Sequence, residues 1–363
     1  MTEISTEELG DLIAHYGDMG DELKFYDGTV TLRFDQKRWL YSLLTQDGSW
    51  EPQSGVTSVT KRSVDKSEVL IAWAKKVCLE KLRLLLLDQY IAPEGLIQLY
   101  EEELEQIIRE AKRANDDVLE AAGATGHIAH SWVESWIKAC LGQGNKDWLL
   151  DHMPEDPRAN KCCAASLLFM IAHDVKWIST ERKVYSRRYK YAGTLDGLAY
   201  VSSCNDPTCC TEVFKDRLSI MDWKTSNGLY LEYLLQTAAY QNAIEEEDKV
   251  DILDRWVIRL GKEDGEFDPW HAAGRASFLQ DFEAFLKTLE MTKAVRVVED
   301  RLSDIKGIKK ATRLAKEKAE REARDKIACP KSSDYKGSRV SKCLSDGSQC
   351  VACRLKYTEK HPK

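Results

Sequence analysis

The chain has 363 residues, is 43% hydrophobic and 31% charged, and carries 53 Lys/Arg against 60 Asp/Glu for a net charge of −7. This is the composition of a soluble globular protein with apolar residues for one large core or two small ones, and it excludes a disordered or collagen-like chain. The apolar run Leu84 to Leu87 is far too short to span a bilayer, and the acidic start Met1 to Glu8 lacks an apolar signal core, so a cytoplasmic protein with no membrane step is expected.

A short helix is expected near residues 6–16. Val30, Leu32 and Phe34 alternate with polar residues, which is a strand pattern. Trp39 to Leu44 and Val56 to Thr60 read as further strands, with Asp47-Gly48 as a turn signal. Asp65-Lys66-Ser67 opens a helix through about residue 87, with Ser67 as a cap before Glu68. Residues 93–141 are rich in Glu, Ala, Leu and Lys and predict helices, broken near Gly123 to Gly126. Another helix is expected over 161–173.

Strands are then expected at Trp177 to Tyr191, Gly193 to Ser202 and Leu218 to Trp223. A helix follows from Leu229 to Glu245, and Trp256 to Leu260 is one more strand, closed by a turn at Gly261 to Gly265. Helices return over Trp270 to Leu289 and most of 295–327. No internal repeat is present. The order predicts an α/β fold, a central mixed β-sheet flanked by helices, with helical additions at both ends. The expected division is a domain over 1–300 and a basic helix with a cysteine-containing tail over 301–363.

Three segments carry the chemistry. In Leu218-Ser-Ile-Met-Asp222-Trp-Lys224, strand alternation puts Asp222 and Lys224 on one side, with Leu218 and Ile220 anchoring that side below them. A carboxylate and an ammonium on an otherwise apolar strand are costly without partners. A metal ion for Asp222, and a phosphate or water for Lys224, would supply them. Asp196, in Gly193-Thr-Leu-Asp196-Gly, is expected near the start of a strand pairing with that of Asp222. Two converging carboxylates make a hard oxygen site suited to Mg²⁺ or Mn²⁺, which activates water and neutralises phosphoryl charge. A salt bridge between Asp222 and Lys224 or Asp196 is the plain alternative. Gln236 and Tyr240 lie four apart on the next helix and share a face that can be aimed at the site, toward a scissile phosphate or the DNA backbone. Upstream, His130 is a candidate metal ligand, with His127 its rival and Glu134 one turn further on; taken alone, either histidine also reads as a satisfied structural residue.

In combination these residues resemble the RecB-like branch of the PD-(D/E)xK nuclease superfamily, and specifically its bacteriophage-type exonucleases. The matching motifs are Gly126 with His130, Gly193 with Asp196, Asp222 with Lys224, and Gln236 with Tyr240, in the family's order. Gly55-Val-Thr-Ser-Val-Thr, Asp65-Lys-Ser, Trp73-Ala, Trp256-Val-Ile-Arg-Leu and Gly265-Glu extend the likeness over roughly residues 28–290. The resemblance implies a restriction-endonuclease-like core and Mg²⁺-dependent hydrolysis of DNA phosphodiesters in replication, recombination or degradation. It implies His130, Asp196 and Asp222 as metal ligands, and the host cytoplasm if the chain is viral. Glu134 and Glu181 stand near positions that are often acidic in the family. Two features depart from it: Trp223 replaces a smaller aromatic, and a long insertion carries Cys204, Cys209 and Cys210.

Eleven cysteines, an odd number, argue for free thiols or metal ligands rather than a disulfide framework. Cys329, Cys343, Cys350 and Cys353 fall close enough together to ligate Zn²⁺ or an iron–sulfur cluster. Some RecB-like nucleases hold such a cluster with three late cysteines and one early one, here Cys78 or Cys140, but this chain departs from that spacing because its close pair comes last, and a free-thiol tail is the alternative. Residues 301–363 hold 18 Lys/Arg against 8 Asp/Glu, whereas the rest holds 35 against 52. The basic stretch Lys306 to Lys326, with Lys309, Lys310, Arg313 and Lys316, is a candidate to track a DNA backbone, or simply a solvated helix. The expected partner is therefore DNA, and no oligomer interface is legible. Two other functions stay open: an end-processing or CRISPR-adaptation-like nuclease with an iron–sulfur cluster, and a DNA-binding protein without turnover.

Overall fold

A computed structural model describes residues 22–89, 100–202, 204 and 216–325. The chain divides into two units, Met1–Thr292 and Lys293–Lys363. The expected helix at 6–16 and the four late cysteines lie outside the described residues, as do Cys209 and Cys210.

The first unit is built on a mixed nine-stranded sheet. Strands β1 (Glu22–Phe25), β2 (Val30–Asp35), β3 (Leu40–Leu44) and β4 (Trp50–Gly55) form an antiparallel meander. One face of it, with Phe25, Leu32 and Tyr41, packs on Tyr185 and Ala192. Strands β5 (Val175–Ser186), β6 (Tyr191–Val201), β7 (Arg217–Lys224), β8 (Asp254–Leu260) and β9 (Phe267–Ala273) continue the sheet. The β4–β6 and β7–β8 pairings are parallel and the remaining ones antiparallel. β9 pairs with β8 at the end of the strand order, where the missing N–H of Pro269 is tolerated.

Helices cover both faces, because each face of the sheet is apolar. Against one face lie α3 (Glu101–Cys140) and α5 (Pro157–Ala172), whose Ala129, Trp132, Val133, Ile137, Cys163 and Phe169 pack with Met221, Trp223, Trp256 and Ile258. Helix α5 starts cleanly: the Asp156 carboxylate accepts from the N–H groups of Arg158 and Ala159, with Pro157 at the first position. The opposite face is covered by α1 (Val56–Thr60), α6 (Leu231–Asp248) and the first turns of α7 (Arg275–Asp325). There Leu235, Ala238, Ala239, Phe278, Phe282 and Phe285 pack with Leu195, Leu198 and Ile220. α2 (Ser67–Gln89) and α4 (Lys146–Asp151) complete the first unit. No described helix is long and apolar enough to cross a membrane.

Three expected elements are corrected. Val56 to Thr60 is helix α1, not a strand: Val56, Val59 and Thr60 are the buried positions, a helical spacing that the β-branched composition obscured. Helix α3 runs unbroken through Gly123 and Gly126. A Cβ at Gly126 would lie 2.9 Å from Thr225 Oγ1, so this glycine serves close packing of helix against strand end rather than a break. Trp270 begins no helix; it lies in β9, and the helix starts only after Gly274, whose φ of +83° suits glycine.

Candidate active site

The sheet forks at β6. Along one edge, β6 pairs with β4 only at Tyr191 and Ala192, and with β7 only from Gly197 to Val201. Residues 193–196 lie between these two partners, and Asp196 is the last residue before the β7 ladder begins. It is thus in the middle of its strand, not near the start as expected. Its Oδ2 accepts the N–H of Trp223 at 2.9 Å, so the side chain caps β7 where the ladder stops.

Asp222 stands next to that point on β7. It is fully buried, and neither of its oxygens receives a well-directed hydrogen bond. Lys224 Nζ approaches Asp222 Oδ2 to 2.6 Å and lies 4.9 Å from the centre of the Tyr233 ring. From the helical layer, α3 contributes His130, whose Nδ1 is 3.9 Å from Asp196 Oδ2. The His130 and Asp196 side chains are 35% and 18% exposed. The cluster is therefore reachable from solvent on their side, with Asp222 as its floor. Anchoring follows the expected pattern: Ile220 and Leu218 pack beneath, among the residues of α6.

Electrostatics follow from burial. Burial pushes the Asp222 carboxyl up to about 6, against the pull of Lys224. Burial likewise raises Asp196. Lys224 is held above its usual value: burial lowers it, but the attraction of Asp222 and Asp196 outweighs this. Burial and the neighbouring ammonium hold His130 down to about 4, so its imidazole is neutral at physiological pH. Two carboxylates thus share one ammonium beside a neutral imidazole. When both carboxylates are ionised the group carries an excess negative charge, and among the described residues no donor is directed at Asp222 Oδ1.

Gln236 and Tyr240 are brought to the same place. Both are buried, and the Gln236 amide donates to the Tyr240 hydroxyl at 2.8 Å. Burial, and then the Asp222 charge, keep the phenol protonated. The ring fits only because residue 193 is glycine: a Cβ there would lie 2.5 Å from Tyr240 Cε1. Gly193→Ala is expected to destabilise the fold by about 1–3 kcal/mol through overpacking and to displace the Tyr240 ring. A urea midpoint equal to that of the parent protein would contradict this fit.

Several neighbours were not legible as a set. Glu181 lies opposite Asp196 in the β5–β6 pairing, at a φ of +49°, a strained value for a residue with a side chain. Burial and the Asp196 charge push it up to about 7, and Lys183 Nζ is 3.8 Å from its Oε2. The Glu181-x-Lys183 spacing repeats that of Asp222-x-Lys224, and this was the available signal. Tyr41 reaches the fork from β3, its hydroxyl 2.7 Å from Thr194 Oγ1, and no local pattern announces it. Glu134 pairs with Lys138 at 2.7 Å, and His127 is exposed. Lys309, Lys310, Arg313 and Lys316 are exposed on α7, with Arg313 3.6 Å from Glu317.

Cys78 and Cys140 are half-buried free thiols on α2 and α3. Cys204 Sγ is 3.4 Å from His173 Nε2. Among the described residues, no three or more His, Cys, Asp or Glu side chains form a ready metal cage. The chain matches no protein-family model and no curated protein.

Proposed function

We propose that this protein is a metal-dependent DNA nuclease of the RecB-like PD-(D/E)xK type with a restriction-endonuclease-like core, hydrolysing phosphodiester bonds as an exonuclease in DNA replication, recombination or degradation. The observation that carries the reading is the fully buried Asp222, with two poorly satisfied oxygens, beside Asp196, His130 and a single ammonium. Two carboxylates and a neutral imidazole are the donors a hard divalent cation takes, and the excess negative charge is what such a cation would neutralise. Asp222, Asp196 and His130 would hold Mg²⁺ or Mn²⁺. When bound, the cation would polarise the phosphoryl group and a water molecule.

The chain's own residues supply the rest. Lys224, whose ammonium lies 2.6 Å from Asp222 Oδ2, orients the attacking water or faces the developing charge on the phosphate. Gln236 fixes the Tyr240 hydroxyl, and the protonated phenol would serve as a donor to the scissile phosphate or the DNA backbone. His130 stays neutral and keeps a nitrogen lone pair available. The Trp223 N–H locks the rotamer of Asp196.

The test is cleavage of end-labelled linear and closed circular DNA by the purified chain with Mg²⁺, Mn²⁺ or EDTA. Degradation of the linear form alone, dependent on the cation, is the expected result. Nicked or linearised circles would make it an endonuclease on the same chemistry. Intact DNA under every cation would leave a binding protein without turnover and sink the proposal.

A further inference from the structure

The β2–β3 turn carries an exposed aromatic side chain that the fold does not require. Trp39 is 55% exposed, and its φ of +52° is a costly backbone state for a bulky residue. A ring held out in this way is not a core residue. It is nevertheless fixed. Phe34 meets it edge-on at 5.1 Å, and Phe34 in turn stacks on Tyr41 at 4.7 Å. The Tyr41 hydroxyl ends this row against Thr194, two residues from Asp196. A continuous row of aromatic rings thus links the exposed indole to the fork of the sheet.

Charge accompanies the row. Lys37 and Arg38 precede the indole and are exposed. Lys183 Nζ lies 5.1 Å from the Phe34 ring centre on the path toward Glu181. The one acid of the turn, Asp35, accepts the N–H of Arg38 and lies 3.8 Å from its guanidinium.

We infer that Trp39 is a base-stacking ledge for an unpaired nucleic-acid strand, placed to hold a base a few nucleotides from the bond at Asp196 and Asp222. The inference rests on the nuclease reading above and adds to it the substrate form. A flat aromatic face beside lysine and arginine is the chemistry that binds single strands, since every base offers a π-face and every linkage a negative charge. In a duplex those faces are hidden by the neighbouring base pairs, so only an unpaired end can use the ledge. A protein partner fits less well: its interfaces need a contiguous apolar patch, whereas this indole is followed back along the turn by Arg38, Lys37, Gln36 and Asp35.

The experiment compares fluorescein-labelled oligothymidine with a blunt duplex of equal length, bound to the full chain in EDTA so that neither is cut. Trp39→Ala is expected to weaken single-strand binding by about tenfold or more and duplex binding by less than about twofold, with Trp39→Phe keeping most of the affinity. Circular dichroism of both variants should match the parent, since the side chain is exposed. Equal loss on both DNA forms, or no loss on either, would overturn the ledge. Mg²⁺-dependent cleavage by the parent protein alongside such a result would leave the nuclease reading standing. A parent protein that neither binds nor cuts either form overturns both.

Discussion

Asp222→Asn is expected to abolish DNA cleavage and, in the metal-free protein near neutral pH, to raise the melting temperature. Loss of a principal ligand and charge at the reacting centre should cost at least about 10²–10³-fold in rate. The gain in stability has a separate origin. Burial raises the Asp222 carboxyl from 3.8 to about 6. A carboxyl whose pKa is raised on folding holds its proton more tightly in the folded state than in the unfolded one. Its contribution to stability is complete below about 4 and is lost as the pH rises through about 6. The parent protein therefore carries a penalty of at most roughly 3 kcal/mol above that window, and an uncharged asparagine does not. The difference in melting temperature between variant and parent should be larger at about pH 7.5 than at about pH 4.5. Taking the difference matters, because His130 and Glu181 titrate across overlapping ranges in opposite senses: His130 loses stability on acidification and Glu181 gains it. Mg²⁺ should raise the parent's melting temperature and not the variant's. A variant that melts below its parent equally at both pH values would refute this account of Asp222.

Lys224→Ala is expected to fail in the opposite way. It removes the ammonium shared by Asp222 and Asp196 and leaves the buried Asp222 carboxylate beside that of Asp196 without it. Breaking a buried pair from one side costs about 3–5 kcal/mol. Here the loss should fall near the low end, because Asp222 already holds its proton at an elevated pH and can take it up again. The penalty in urea unfolding should thus shrink on acidification toward about pH 5. Cleavage should disappear at every pH where the protein is folded. Two neighbouring substitutions are thus expected to abolish cleavage alike, one stabilising the protein and one destabilising it. A metal-free Lys224→Ala protein with an unchanged urea midpoint would show that the ammonium is not part of the charge balance at all.

Legibility in the sequence divides along physical lines. The alternation at Val30 to Phe34 and the strand at Leu218 to Lys224 were readable, because one face of each must be buried and the period of a strand is two. The convergence of Asp196 and Asp222 was readable from their motifs. Asp196's position was not: that the strand pairs with β4 on one side of residues 193–196 and with β7 on the other depends on residues far apart in the chain. The glycines were misread for a related reason. Gly126 looks like a break in a helix until Thr225 is seen against it. Trp270 sits in a stretch whose composition fits a helix, yet the exposed edge of β8 recruits it as a strand, a tertiary demand that local propensity does not contain. Tyr240 was recognised from its motif, but its close packing on Gly193 was not, because it depends on residues far apart in the chain.

The hydrogen bond between the Tyr41 and Thr194 hydroxyls joins positions 153 residues apart, and the meander that carries Tyr41 pairs with the central strand at only two positions. Contacts of such separation form late, because the intervening chain must be ordered before they repay its entropy. The β5–β6–β7 hairpins and their helices have shorter loops to close and can precede them. Recovery of cleavage after dilution from denaturant should therefore lag behind recovery of β-sheet signal. The last event in folding is then expected to be the docking of the amino-terminal strands, not the assembly of the carboxylates.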